Sequence, residues 1–323
     1  MDVCLMIEGQ EDVTWEDWLA LAAACEEHGV GTMFRSDHYL SVDDRRERGS
    51  LDAWGTITAL CAVTEKLRLG TMVSPATFRH PAVLAKVAVT ADHVSGGRVE
   101  VGIGAGWWER EHELYGFELP PTGPRLDALE EQMQIVRGHW APGPFDFDGE
   151  YYSARELDAL PKPVQEPLPL ILGGRGGPRS LRLAARYADE YNTVMATAEE
   201  VADIRRRLDQ ACEAEGRDPA SLPLSMMTGW LVGANHDELV DRASRLSRWK
   251  GEGDDGEAFI AGLRESTILG TVEEAVMQLR ELEAAGLTRI MGQHLLHRDL
   301  DAVALMGREI APRVSARDRK NSS

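Results

Sequence analysis

The chain has 323 residues, 43% of them hydrophobic, enough to bury one large α/β core or two smaller ones. It carries 35 Lys and Arg against 54 Asp and Glu, a net charge of −19. Such a surface repels phosphate backbones and anionic lipid, which excludes nucleic acid and membranes as expected partners. The four cysteines (Cys4, Cys25, Cys61, Cys212) share no CxxC spacing, and no apolar run approaches a membrane span of ~20 residues. With no signal-peptide pattern at the N-terminus, the expectation is a cytoplasmic protein with reduced thiols.

Along the chain, strand patterns alternate with helix patterns. Residues 2–7 read as a strand, and Thr14 as the N-cap of a helix over 15–28 that Gly29 stops. Strands over 31–36 and 67–73 are followed by helices over 52–65 and 81–94. The next strand, 98–104, alternates Val99, Val101 and Ile103 with Glu100, Gly102 and Gly104, and a helix follows over 125–139. Five prolines then mark an excursion over 141–167, with one short strand expected at Tyr151–Ser153. Strands over 168–172, 190–194, 222–227 and 287–291 complete a set of eight, with helices ending at Tyr187 and spanning 198–215, 272–285 and 299–310. Eight strands alternating with helices predict an α/β fold, a (β/α)8 TIM-like barrel with insertions near 105–122, 141–167 and 228–270. A doubly wound sheet is the alternative. One domain is expected over 1–312, with a frayed tail over 313–323.

In such a barrel the chemistry sits where the strands end. Asp37 and His38 follow the second strand: a histidine there can move a proton near neutral pH, with Asp37 fixing its tautomer, or Asp37 can cap the loop while His38 packs. Gly102, Gly104 and Gly106 let a flat or anionic group approach the backbone. Gly173-Gly-Arg-Gly-Gly177 opens a helix and suits phosphate, against the plainer reading of a flexible turn. Trp107 and Trp108 can stack on a ring or pack on the rim, while Glu109, Glu111 and Glu113 read as a solvated helix face. His294 and His297 have helix-like metal spacing but no third ligand nearby, so no metal is expected. No P-loop, GxSxG or dinucleotide fingerprint is present, because Trp107 stands where a third glycine would be.

Several stretches together resemble the bacterial luciferase-like superfamily, in particular its coenzyme F420-dependent oxidoreductases. They are Arg35-Ser-Asp-His38, Gly70-Thr-Met-Val-Ser-Pro75 with Phe78-Arg-His-Pro81, Asp92-His-Val-Ser-Gly-Gly-Arg98, Val101-Gly-Ile-Gly-Ala-Gly-Trp107 with Glu111 and Tyr115-Gly116, Ile171-Leu-Gly-Gly174, Ala185-Arg-Tyr-Ala-Asp-Glu-Tyr-Asn192, and Gly270-Thr-Val-Glu-Glu274 followed by Ala285-Gly286. The resemblance implies a flavin or deazaflavin at the barrel mouth, resting on a non-prolyl cis peptide at Met72–Val73. It implies phosphate contacts at Ala105-Gly106 and Gly173-Gly174, His38 and Asp37 near the reacting face, and Trp107 and Trp108 on the substrate side. Relatives acting on sugar phosphates carry a Glu where Trp107 stands, so that substrate is not carried over. The expected activity is hydride transfer between F420 and a small organic molecule. The alternatives are an FMN-dependent monooxygenase supplied by a separate reductase and, beyond it, a non-catalytic flavin-binding barrel. The resemblance also suggests a homodimer.

Overall fold

The computed structural model describes residues 1–43, 45, 47–263 and 265–315. The first half of the chain runs β1 (Asp2–Ile7), α1 (Trp15–His28), β2 (Thr32–Arg35), α2 (Ala53–Val63), β3 (Arg68–Thr71), β4 (Ser74–Pro75), α3 (Pro81–Ser95) and β5 (Val99–Gly104). Then come α4 (Glu109–Tyr115), α5 (Thr122–Trp140), β6 (Phe145–Asp148), β7 (Ser153–Leu157), β8 (Leu170–Gly173), α6 (Pro178–Tyr187), β9 (Glu190–Val194) and α7 (Ala198–Ala214). The remainder is β10 (Leu224–Gly233), α8 (His236–Lys250), α9 (Gly256–Ala261), β11 (Ile268–Thr271), α10 (Val272–Ala284), β12 (Arg289–Gln293), α11 (Leu300–Leu305), one π-helical turn and α12 (Ala311–Val314). Arg313 and Val314 thus belong to the last helix, and the Val314 carbonyl accepts the N-terminal amine of Met1 at 2.7 Å. The rest of the expected tail, 316–323, lies outside the described residues.

The strands close on themselves. β1 pairs β2 and β12, β2 pairs β3, β3 and β4 both pair β5, and β5, β8, β9, β10 and β12 follow in turn, all parallel. β3 and β4 are two halves of the third barrel strand, parted at the Met72–Val73 peptide, which is cis as the resemblance implies. The doubly wound alternative is excluded by closure.

Local sequence explains the elements. Thr14 and Asp17 form a reciprocal capping box that starts α1, and Gly29 in the left-handed region ends it. β1 and β5 are buried on both faces; β1 reads as a near-continuous apolar run, whereas β5 alternates its apolar residues with Glu100 and glycines. Inside, the foot of the barrel is ionic. Arg289 holds both oxygens of Glu100 (2.7 and 3.0 Å) and one of Glu190 (3.1 Å), while Arg68 reaches Glu100 at 2.7 Å. Above this layer lie Cys4, Met6, Phe34, Met72, Ile171 and Met291. The larger apolar core fills the space between strands and helices.

Two excursions differ from expectation. Over 141–167 an antiparallel hairpin, β6–β7, replaces the single expected strand, and Tyr151–Tyr152 form its turn. Glu131 of α5 accepts three successive turn amides, from Glu150, Tyr151 and Tyr152, which fixes the turn against the helix. The excursion leads from a helix into a strand, so it re-enters at the foot, where Gln165 bonds the Val99 carbonyl and Arg68. The seventh barrel strand, expected to stop at 227, runs on to Gly233. Its outer half pairs β11 instead of a barrel neighbour. α8 and α9 then pack over this extension through Leu231, Leu239, Leu246 and Phe259.

Candidate active site

At the mouth the third strand breaks and Val73 turns inward. A Cβ on Gly104 would lie 2.8 Å from Val73 Cγ2, and one on Gly173 would lie 3.0 Å from Cγ1. A Cβ on Gly102 would meet the Thr71 carbonyl oxygen at 2.1 Å. Three glycines from two neighbouring strands are therefore small because Val73 and its strand press on them. This corrects the expectation that Gly102 and Gly104 admit an anionic ligand: their space is taken by protein. The result is an apolar prominence at the barrel mouth, backed by Met72, Met227 and Ile171.

His38 follows β2. Its Nδ1 is 2.7 Å from Glu111 Oε2, and the other oxygen of Glu111 accepts the backbone amides of Tyr39 (2.6 Å) and Leu40 (3.2 Å). The Glu111 carboxylate is wholly buried. Burial pulls the His38 imidazole toward the neutral form. The hydrogen bond and charge of Glu111, with Glu8 and Asp37 more distant, outweigh it and raise its pKa above the ordinary value. Among the described residues none bonds His38 Nε2. The partner that orients His38 is thus Glu111, not Asp37. Asp37 is clamped by the Arg79 guanidinium and by the Ser74 hydroxyl (2.7 Å), with Trp54 donating to Ser74 at 3.0 Å. Arg79 also reaches Asp52, so Asp37 serves a network that ties the β2–α2 loop to the β4–α3 loop.

The sequence did hold a signal for Glu111. Trp108, Glu111 and Tyr115 are spaced i, i+3, i+7 at the start of α4, one helix face. That face lies on the His38 loop: Tyr115 donates to the Tyr39 carbonyl (3.1 Å), and Tyr39 stacks on Phe78, which stacks on Phe117. Glu109 and Glu113, off that face, are exposed as expected. Trp107 and Trp108 stack on each other and both stand edge-on to His38, with centroids at 6.0 and 5.7 Å; Trp107 is 60% exposed.

The glycine loops are partly spent. The Gly174 amide donates to the Asn192 carbonyl and the Gly176 amide to the Tyr191 hydroxyl, so the 173–177 loop offers fewer amides than its composition suggests. What remains is the start of α6 at Gly177, which has no side-chain cap. A cavity of about 540 Å³ is lined by Arg175 and Arg207 together with the acidic Glu199, Glu200 and Asp203. Ala105 and Gly106 stay half-buried at the rim, and the Gly106 carbonyl accepts Arg125 at 2.6 Å. A second cavity of about 800 Å³ opens between the mouth and α8–α9, reaching Glu8 and Gln293 at the ends of β1 and β12. His294 bonds the Asp299 carbonyl, and His297 Nε2 lies 3.5 Å from Asp17 without a hydrogen bond; among the described residues no three metal-ligating side chains come together. No helix is long and apolar enough to cross a membrane among the described residues.

A closed parallel barrel with an apolar prominence and an acid-held histidine at its mouth is the framework of a barrel enzyme of the oxidoreductase type. The chain belongs to the luciferase-like monooxygenase family, whose model matches residues 3–289. It is 32% identical over 214 residues to an uncharacterized protein of Mycobacterium tuberculosis, covering 62% of this chain and 74% of that one. It is 30% identical over 228 residues to the F420-dependent glucose-6-phosphate dehydrogenase of Microbacterium testaceum, covering 69% and 66%. Among solved structures, an F420-dependent secondary alcohol dehydrogenase in complex with an F420–acetone adduct shares the fold, with a TM-score of 0.78, 23% identity, and 97% and 99% of the two chains covered.

Proposed function

We propose that this protein is a coenzyme F420-dependent oxidoreductase that moves a hydride between the deazaflavin and a small organic substrate. The observation that carries the reading is His38, oriented through Nδ1 by the buried Glu111 and with Nε2 left for a reacting group. The Val73 prominence with its apolar backing offers one face of a tricyclic ring a dry support, so these residues fit the cofactor. The bound deazaflavin would supply or accept the hydride. The chain's own part is to hold the ring against Met72 and Val73 and its anionic tail near Gly106, Gly174 and the uncapped start of α6. His38 gives or takes the accompanying proton at Nε2, and Trp107 and Trp108 shape the substrate side. Asp37 acts on His38 only through space.

The family's name favours a second reading, a monooxygenase that uses FMN reduced by a separate reductase. Anaerobic cofactor titration, followed by oxygen-uptake measurement once air is admitted, separates the two. Saturable F420 binding, with no oxygen uptake in the presence of reduced FMN, supports the first; tight reduced-FMN binding with oxygen uptake replaces it with the second. His38→Ala is expected to keep F420 affinity and lose turnover on a panel of alcohols, ketones and imines, and an unchanged rate would remove His38 from the mechanism. A homodimer is part of the same reading. It is supported by the apolar groove between α2 and α3, where Val83 and Val94 are exposed, and sedimentation equilibrium tests it.

A further inference from the structure

The cavity between the barrel mouth and α8–α9 is a built chamber. Its outer wall is fixed by Arg48, whose guanidinium lies 3.7 Å from the centre of the Trp249 ring and donates to the Trp249 carbonyl (2.9 Å) and to Glu11 (2.6 Å). Glu11, buried, also accepts the Ser41 hydroxyl (2.8 Å) and the Val42 amide (3.1 Å). The β1–α1 loop, the β2–α2 loop and the end of α8 are thereby pinned together. Trp230, Leu231, Phe259 and Leu295 supply apolar walls. The inner end is different. The Glu8 carboxylate is held by two neutral amides, Gln10 (2.8 Å) and Gln293 (2.5 Å), and the Gln10 side-chain oxygen is in turn fixed by the Ser36 hydroxyl (2.5 Å). Among the described residues no Arg, Lys or His forms an ion pair with Glu8. Neutral donors position a carboxylate without cancelling its charge, whereas the charge of Glu11 is met by Arg48. Lys250, the one cation among the described lining residues, sits 6.0 Å from the Phe259 ring instead.

We propose that this chamber is the substrate site and that it selects an organic cation, an amine or iminium on an apolar body, by pairing it with Glu8, while rejecting carboxylates and phosphates. This deepens the hydride-transfer reading and rests on it only for the identity of the reaction. The cation would replace nothing: it would occupy the one side of Glu8 that the two amides leave open to the cavity. An anionic substrate of the same shape would meet Glu8 at the inner end and the acidic Glu252 and Asp254 at the rim, against Lys250 as the one lining cation.

The test needs no cofactor turnover. Binding of 3-phenylpropylamine, 3-phenylpropanol and 3-phenylpropionate to the full chain is measured by calorimetry at pH 7. The ammonium probe is expected to bind about tenfold tighter than the alcohol, the scale of one charge-assisted contact, and the carboxylate more weakly than both. Glu8→Gln should bring the ammonium probe to the affinity of the alcohol and leave the alcohol unchanged. Should that variant fail to fold, Glu252→Gln combined with Asp254→Asn on the exposed α8–α9 loop should weaken the rejection of the carboxylate. Equal affinities for the three probes, a preference that survives Glu8→Gln, or no binding of any probe overturns the proposal. F420 and FMN titrations of the same samples report on the cofactor reading separately, so either can fail alone.

Discussion

The contact of Val73 with its glycine neighbours can be tested by a double-mutant cycle. Gly104→Ala places a methyl 2.8 Å from Val73 Cγ2, with the next neighbour, the Gly173 carbonyl, at 3.8 Å. The only close obstacle is one methyl of one side chain. Overpacking of this kind costs about 1–3 kcal/mol. Val73→Ala alone loses about 1–2 kcal/mol of apolar contact for a half-buried valine. In the double variant the obstacle is gone, so the two costs should fall short of additivity by about 1–2 kcal/mol. Gly233→Ala is the control. Its new methyl would sit 2.4 Å from the Leu239 amide nitrogen and 2.7 Å from the Asn235 carbonyl oxygen, neither of which Val73→Ala touches, so that pair should stay additive. Urea unfolding midpoints of the single and double variants give the numbers. Additivity within about 0.5 kcal/mol for the Gly104/Val73 pair would refute the argument that Gly104 is small to make room for Val73.

Two further predictions concern the polar network. Glu111→Gln keeps the shape of the side chain and removes its charge, so the His38 pKa should fall; a ring-proton NMR titration that matches wild type would contradict the assignment of Glu111 as the orienting acid. Because the folded pKa of His38 is raised, its protonation stabilises the fold fully below the unfolded value of about 6.5, and that contribution is lost as pH rises through the higher folded value. The Gln variant should flatten the stability–pH curve in that window. Arg79→Met strands the fully buried Asp37 carboxylate with only the Ser74 hydroxyl, and should cost about 3–5 kcal/mol in chemical denaturation; adding Asp37→Asn should recover much of the loss. A loss below about 1 kcal/mol for Arg79→Met would show that Asp37 is not held as an ion pair.

The alternation of eight apolar strands with capped helices is a local property. The barrel and most element positions followed from periodicity and from residues such as Thr14 and Gly29, because helix caps and strand burial are written within a few positions of one another. The importance of the 102–106 and 173–177 glycines was legible in the same way. Their purpose was not. Whether a missing side chain makes room for a ligand or for another part of the chain depends on what lies opposite, and Val73 reaches Gly104 and Gly173 only after three strands close side by side. The same limit separates Asp37 from Glu111. Adjacency in sequence favoured Asp37 as the partner of His38. In space, successive residues at a strand end point apart, so Asp37 turns to Arg79 while α4 brings Glu111 across 73 positions to His38. The sequence by itself determined the eight barrel strands, most of the helices between them and which strand ends carry polar residues. The tertiary structure alone decided which of those residues meet, since hydrogen bonds and packing act over a few ångströms and the distance along the chain does not measure them.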